Sequence, residues 1–238
     1  NTITNCNIAA GTNLGNNGPM TGMRVQNSPA TVNMNSNLIY GDTMFNVGTF
    51  TGMIYSGTNL SATVSLSNNQ IYNIHKVNNN PAAAGGGNNL IGIAAGYSQT
   101  TLNNNIIRDF TIVNIVNTMN CKISAFNITS PAAGTSMTIT NNQVYNLSTT
   151  GTSTSASQTV TNGIEFGGNT GIGSSNLTIS GNTFYNFNST NTALTGAGAL
   201  LRGMEISTAL TINVFNNKMY DFTCTGIASA IVGYRVLA

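Results

Sequence analysis

One short phrase recurs six times along this chain: an Asn, any residue, an apolar residue, an aromatic residue, then Asn or Asp. The copies are Asn37-Leu38-Ile39-Tyr40-Gly41, Asn69-Gln70-Ile71-Tyr72-Asn73, Asn105-Ile106-Ile107-Arg108-Asp109, Asn142-Gln143-Val144-Tyr145-Asn146, Asn182-Thr183-Phe184-Tyr185-Asn186 and Asn217-Lys218-Met219-Tyr220-Asp221. Only Gly41 and Arg108 depart from the pattern. The leading asparagines lie 32, 36, 37, 40 and 35 residues apart, so a unit of near-constant design carries a loop of variable length. A period of this size marks stacked repeats, each burying its apolar face against the next.

The fifth copy shows what one unit contains. Gly163-Ile164-Glu165-Phe166 alternates apolar and polar, Gly167 to Ser175 is glycine-rich turn material, and Leu177-Thr178-Ile179-Ser180 alternates again. Gly181-Asn182 supplies a corner, and Thr183-Phe184-Tyr185 is a third extended stretch before a polar loop of Asn, Ser and Thr. The columns across copies agree. Met34, Leu66, Leu102, Ile139, Ile179 and Val214 stand three residues before the leading Asn; Val32, Val64, Thr100, Met137, Leu177 and Ile212 stand five before; Ile39, Ile71, Ile107, Val144, Phe184 and Met219 stand two after. The residues between them are Asn, Ser or Thr in almost every copy, so the inward and outward faces both keep period two. The fold expected is all-β, a right-handed parallel β-helix of about six turns of 32–40 residues with three short strands per turn, forming one domain over 1–238.

Stacked at about 4.8 Å per turn, the leading asparagines Asn37, Asn69, Asn105, Asn142, Asn182 and Asn217 form a ladder at the corner. An amide donates to one neighbour, accepts from the other and also satisfies the backbone of a left-handed bend. Both chain ends read as turns cut short, at Asn1-Thr2-Ile3-Thr4-Asn5 and at Gly233-Tyr234-Arg235-Val236, with no polar cap. The partners expected are therefore flanking repeats of the same polypeptide or end-to-end copies. An extracellular or cell-surface location is expected too, as for a mature or excised segment of a longer protein that opens on Asn1.

Charged residues make up 5% of the chain, and 40 Asn with 34 Thr fill the polar positions. Seven basic and five acidic residues give a net charge of +2, and the basic ones are scattered, so the stripe that nucleic acid or an anionic membrane requires is missing. No apolar run reaches the roughly 18 residues of a membrane span. Cys6, Cys121 and Cys224 lie in different repeats without metal-ligand or disulfide spacing. No cofactor is expected. His75 is the only histidine, and it opens a polar loop without a triad or metal partner; Gly85-Gly86-Gly87 lacks the helix and Lys of a phosphate loop.

Three surfaces remain as candidates. Glu165 and Glu205 occupy equivalent outer positions of consecutive first strands, followed by Arg235; two carboxylates there suit a polysaccharide-cleaving acid pair, or else form a surface ladder partly neutralised by Arg235. The column Tyr40, Tyr72, Tyr145, Tyr185 and Tyr220, interrupted by Arg108, points outward and either contacts glycans or covers apolar surface. The second-strand face, with Asn33, Asn35, Ser65, Ser67, Thr101, Asn103, Thr138, Thr140, Thr178 and Ser180, is similar to an ice-binding array, spoiled by its asparagines and by Phe215.

The phrases Ser67-Asn68-Asn69-Gln70-Ile71-Tyr72-Asn73-Ile74 and Thr140-Asn141-Asn142-Gln143-Val144-Tyr145-Asn146-Leu147, followed by small-residue loops and Gly-Ile strands, resemble repeat regions of very large Bacteroidetes-type surface proteins. The resemblance implies export by type IX secretion through a separate C-terminal signal, and O-glycosylation at Asp-Ser/Thr-apolar sites. Asp42-Thr43-Met44 matches that site pattern, with Thr43 as acceptor, in a segment read as a loop. The expectation is a non-enzymatic structural or adhesive segment of an extracellular bacterial surface or filament protein. The alternatives are a β-helix that binds or degrades polysaccharides and, more remotely, an ice-binding one.

Overall fold

The computed structural model describes residues 2–4, 7–8, 19–26, 30–45, 48–57, 61–78, 88–96, 99–114, 121–129, 134–152, 159–167, 176–192, 198–207 and 211–237. Asn1, Asn5, Cys6, the Gly85–Gly87 run and residues 168–175 of the glycine-rich turn lie outside them. Every strand pairing is parallel, and the described strands form three sheets that each run the length of the molecule. This is a parallel β-solenoid, as the repeat implies. In the order of one turn, sheet I holds strands such as Thr159–Gly167, sheet II strands such as Asn176–Ser180, and sheet III strands such as Thr183–Asn191. Sheet II has six strands, from Thr31–Asn33 to Thr211–Phe215, so four turns are covered on both sides in every sheet and the others are edges.

The register places equivalent repeat positions directly above one another. Ile71 lies beside Ile107, Ile107 beside Val144, and Val144 beside Phe184. The three apolar columns of the repeat are buried from Val32 through Phe184, and their last members Ile212, Val214 and Met219 are half-covered. Parallel stacking also aligns aromatic rings inside the core, with Phe187 and Phe222 stacked at 4.8 Å.

The leading asparagines form the expected ladder. The backbone N–H and Nδ2 of Asn105 both donate to Oδ1 of Asn142, at 2.8 and 2.9 Å, and those of Asn142 donate to Oδ1 of Asn182, at 3.0 and 2.9 Å. The second Nδ2 hydrogen of Asn142 goes to the Leu102 carbonyl at 3.0 Å, and that of Asn182 to the Ile139 carbonyl at 2.9 Å. Each interior amide thus makes its bonds upward, downward and to the backbone, with no exposed surface. Leu would offer none of these bonds, and Asp would lack the donors.

The residue before each leading Asn holds the corner. Ser36, Asn68, Asn104, Asn141 and Asn216 have φ of 54–58°, and Gly181 has φ 67°. The residue closing the phrase is left-handed as well: Asn73, Asp109, Asn146, Asn186 and Asp221 have φ of 54–56°, and Gly41 has φ 78°. Asn and Asp tolerate this region better than other side chains, and Gly tolerates it best, so Gly41 serves the same geometry as its counterparts. One left-handed residue inside an extended strand resets the alternation. Tyr185 and Asn186 both face outward, and Phe187 then turns in.

This reset corrects the reading of the third strand. The Asn/Ser/Thr segment after the phrase is not a loop but the second half of a nine-residue strand, Thr183–Asn191, and its counterparts are Gln143–Gly151, Ile106–Asn114 and Gln70–Asn78. His75 therefore lies in a strand, and so does Thr43, in Thr43–Phe45. The polar inward positions of that half are bonded to one another: Asn78 Nδ2 donates to Asn114 Oδ1 at 3.0 Å, and Thr149 Oγ1 lies 2.8 Å from Thr161 Oγ1 and 3.0 Å from Ser189 Oγ. Lys76, wholly buried in this layer, gives its ammonium to the Gly48 carbonyl, and burial pulls its pKa down to about 8.

Sheet I has its own break. Gly22, Gly52, Gly92, Gly163 and Gly203 fill one column, and Ala125 takes the place in the fourth unit. A Cβ at Gly52 would lie 2.8 Å from Ile71 Cδ1, at Gly92 2.7 Å from Ile107 Cδ1, and at Gly163 2.6 Å from Phe184 Cδ1. The unit in which Ala125 brings a Cβ holds Val144 at the opposing column position, a side chain shorter than the Ile, Phe or Met of the other units. The two columns are matched in volume turn by turn.

Two outcomes follow for equilibrium unfolding in denaturant. Asn142→Leu strands buried ladder and backbone groups and lowers stability by about 1–3 kcal/mol, whereas Asn37→Leu, at an edge turn, costs less. Gly92→Ala lowers stability by about 1–3 kcal/mol through overpacking, and adding Ile107→Val recovers part of the loss. Equal and negligible effects at Asn142 and Asn37 contradict the ladder, and strict additivity of the second pair contradicts the column matching.

Candidate functional site

The two breaks in alternation shape the outer surface. In sheet I the column before the glycines and the column two after them both face outward and lean over the same crease. Asn162 Nδ2 reaches Glu165 Oε2 at 3.4 Å, and Arg202 Nε lies 2.7 Å from Glu205 Oε2. Glu165 pairs in register with Glu205, and Glu205 with Arg235, as the repeat alignment requires. Each acid is held by bases. Lys122 Nζ lies 2.8 Å from Glu165 Oε1, Ser124 Oγ donates to Glu165 Oε2 at 2.7 Å, and Arg235 stands 3.9 Å from Glu205. The sequence reading placed Arg235 beside Glu205 but missed Lys122 and Arg202. Arg202 was readable from its position three residues before Glu205, whereas Lys122 reaches Glu165 from the preceding turn.

These contacts decide the electrostatics of Glu165. Burial by itself would raise its pKa, but the Lys122 charge and hydrogen bonds from Lys122, Ser124 and Asn162 outweigh that and hold it below the ordinary value of 4.5. A carboxyl so held is ionised at neutral pH and does not serve there as a general acid.

In sheet III the outward column stacks flat groups in two runs. Tyr40 and Tyr72 stack at 5.0 Å, Tyr145 and Tyr185 at 4.8 Å, and Tyr185 and Tyr220 at 5.1 Å, with planes within 6–11°. Arg108 extends the first run, since its guanidinium lies 4.1 Å over the Tyr72 ring and pairs with Asp109. Rings stacked this way cover one another's faces and present edges and hydroxyls outward. Tyr220, at the last turn, is the most open of them at 47%.

Beside this column the left-handed bend residues form a second, outer polar row. Asn146 Nδ2 donates to Asp109 Oδ1 at 2.7 Å, and Asn186 Nδ2 to Asn146 Oδ1 at 2.7 Å. The bend folds the strand around an open depression of about 340 Å³ lined by Asp109, Thr111, Asn146, Leu147, Ser148, Asn186 and Asn188. The sequence reading missed this groove, since it depends on a backbone angle and not on a residue pattern.

Thr43 is partly exposed and paired with His75, while its neighbour Asp42 is buried. On sheet II, Phe215 stands half exposed among the hydroxyl and amide residues. Cys121 and Cys224 are free thiols, and no cluster of three metal-ligating side chains occurs among the described residues. No described helix is long and apolar enough to cross a membrane. Compared with protein-family models, curated proteins and solved structures, the chain matches none of them.

The stabilisation that Glu165 gains from its partners is present above the ordinary carboxyl value of 4.5 and is lost as pH falls through the lower folded value. Glu165→Gln is therefore expected to flatten the loss of thermal stability on acidification below about pH 4.5, read from melting curves across that range. An unchanged acid limb would show that the ion pair does not form.

Proposed function

We propose that this chain is a non-enzymatic structural and adhesive segment of an extracellular bacterial surface or filament protein. The observation that carries the reading is the continuous parallel register through the four interior turns, in which the repeated side chains are used to hold one turn to the next. The two outer carboxylates support it, since both are engaged with cations. The resemblance of the repeat phrases to Bacteroidetes-type surface proteins places type IX export, and O-glycosylation at Thr43, within the same proposal.

The partner in this reading is another turn of the same design. The last described turn exposes Ile231, Tyr234 and Val236 by 45–51%, whereas their register partners Leu201, Met204 and Ile206 are buried. Unpaired strand edges and an open apolar end face suit a flanking repeat of the polypeptide or the end of a second copy.

Sedimentation of the 1–238 chain at several concentrations is expected to show end-to-end association, and incubation with plant, algal and bacterial polysaccharides is expected to release no products. A strictly monomeric, stable chain contradicts the stacking role. Turnover abolished by Glu165→Gln or Glu205→Gln contradicts the non-enzymatic reading and establishes a polysaccharide-degrading one.

A further inference from the structure

The adhesive reading leaves open what is bound and where, and the sheet III bend addresses both. We infer that the groove over Asp109, Asn146 and Asn186 is a binding site for a linear, uncharged polysaccharide lying along the solenoid axis; this rests on the adhesive role proposed above. The stacked rings alone are a poor sugar platform, because their faces are covered by one another. The groove beside them has what the rings lack.

Its lining is rich in groups that exchange hydrogen bonds with vicinal hydroxyls: the amides of Asn146, Asn186 and Asn188, the Asp109 carboxylate, and the hydroxyls of Thr111 and Ser148. The bend amides are each half-used. Asn146 donates one hydrogen to Asp109 and accepts one from Asn186, and these bonds lie at the exposed surface with further donor and acceptor capacity facing outward. The Leu147 side chain beneath this lining is wholly buried in the core, so the contacts the depression offers a ligand are polar ones.

The shape of the site selects a chain and not a chain end. Each unit contributes one bend residue and one residue two positions later, and the same two columns continue as Asn73 with His75 and as Asp221 with Thr223. The site repeats at about the strand spacing of 4.8 Å and is open along its length. Its charge selects a neutral ligand. Arg108 is paired with Asp109, so no unpaired cation among the groove's lining residues attracts a uronate, a sulfated glycan or a nucleic acid.

The test uses the 1–238 chain and isothermal titration with soluble neutral polymers, namely a linear β-glucan, a xylan and a mannan, beside polygalacturonate as the anionic comparison. At least one neutral polymer is expected to bind with little dependence on salt, and polygalacturonate is not. Ser148→Ala combined with Asn188→Ala, at regular strand positions, is expected to weaken binding by about tenfold with unchanged melting temperature. Asn146→Gly keeps the left-handed backbone, removes the amide and is expected to weaken binding as well. Binding that survives all three changes overturns the groove while leaving an adhesive role intact. Absence of binding to every neutral polymer also overturns the groove, whereas the rod reading is judged separately by the sedimentation result.

Discussion

Everything in this structure depends on identical groups being placed one above another at the strand spacing. An Asn at a corner makes that translation favourable, because its amide bonds to a copy of itself above and below and to the backbone beside it. The ladder and the apolar columns together hold the register: a shift by one residue one way brings residues such as Gln70, Ile106 or Gln143 to the corner, and a shift either way turns the inward columns outward. The ladder keeps this register although the number of residues between its rungs is free to vary. The intervals between ladder residues, from 32 to 40, record that freedom.

Two departures from simple alternation turn a plain prism into a surface with features. The glycine column lets the opposing Ile, Phe and Met side chains approach sheet I closely and bends the outer face into a charged crease. The left-handed Asn and Asp column turns sheet III and opens the amide-lined groove. Both arise from backbone requirements of the stack. In a chain with so few charges, these creases collect ionised and amide groups, and the columns that hold the stack also shape its outer surface.

How much of this was readable from the residues depends on the kind of signal. The three inward columns, the corner Asn and the equivalence of Glu165 with Glu205 were legible because each recurs at a fixed offset from the repeated phrase. The second half of the third strand was not, since a left-handed residue shifts the inward positions by one and makes Phe187-Asn188-Ser189-Thr190 look like a polar loop. Lys76 shows the same limit. A lysine in a polar stretch reads as solvated, yet its column, shared with Met44, Ile112 and Thr149, points inward. Arg108 appeared as a gap in the aromatic column because its guanidinium matches tyrosine in planarity and not in name. The unit that carries Ala125 in the glycine column also carries Val144 where the other units hold Ile, Phe or Met, a coincidence visible once the opposing columns are known.

The direct test of the ladder is amide hydrogen exchange under native conditions. The backbone N–H groups of Asn105 and Asn142 each donate to a buried Oδ1 of the next turn, and they are expected to exchange only through opening of the stack. In dilute, unassociated chain the N–H of Asn217, in the last turn, meets no such oxygen among the described residues and is expected to exchange rapidly. Protection of Asn105 and Asn142 near the level of global unfolding, with Asn217 unprotected, is the predicted result. Exchange of Asn142 as fast as that of Asn217 would contradict the claim that the amide ladder holds the turns together.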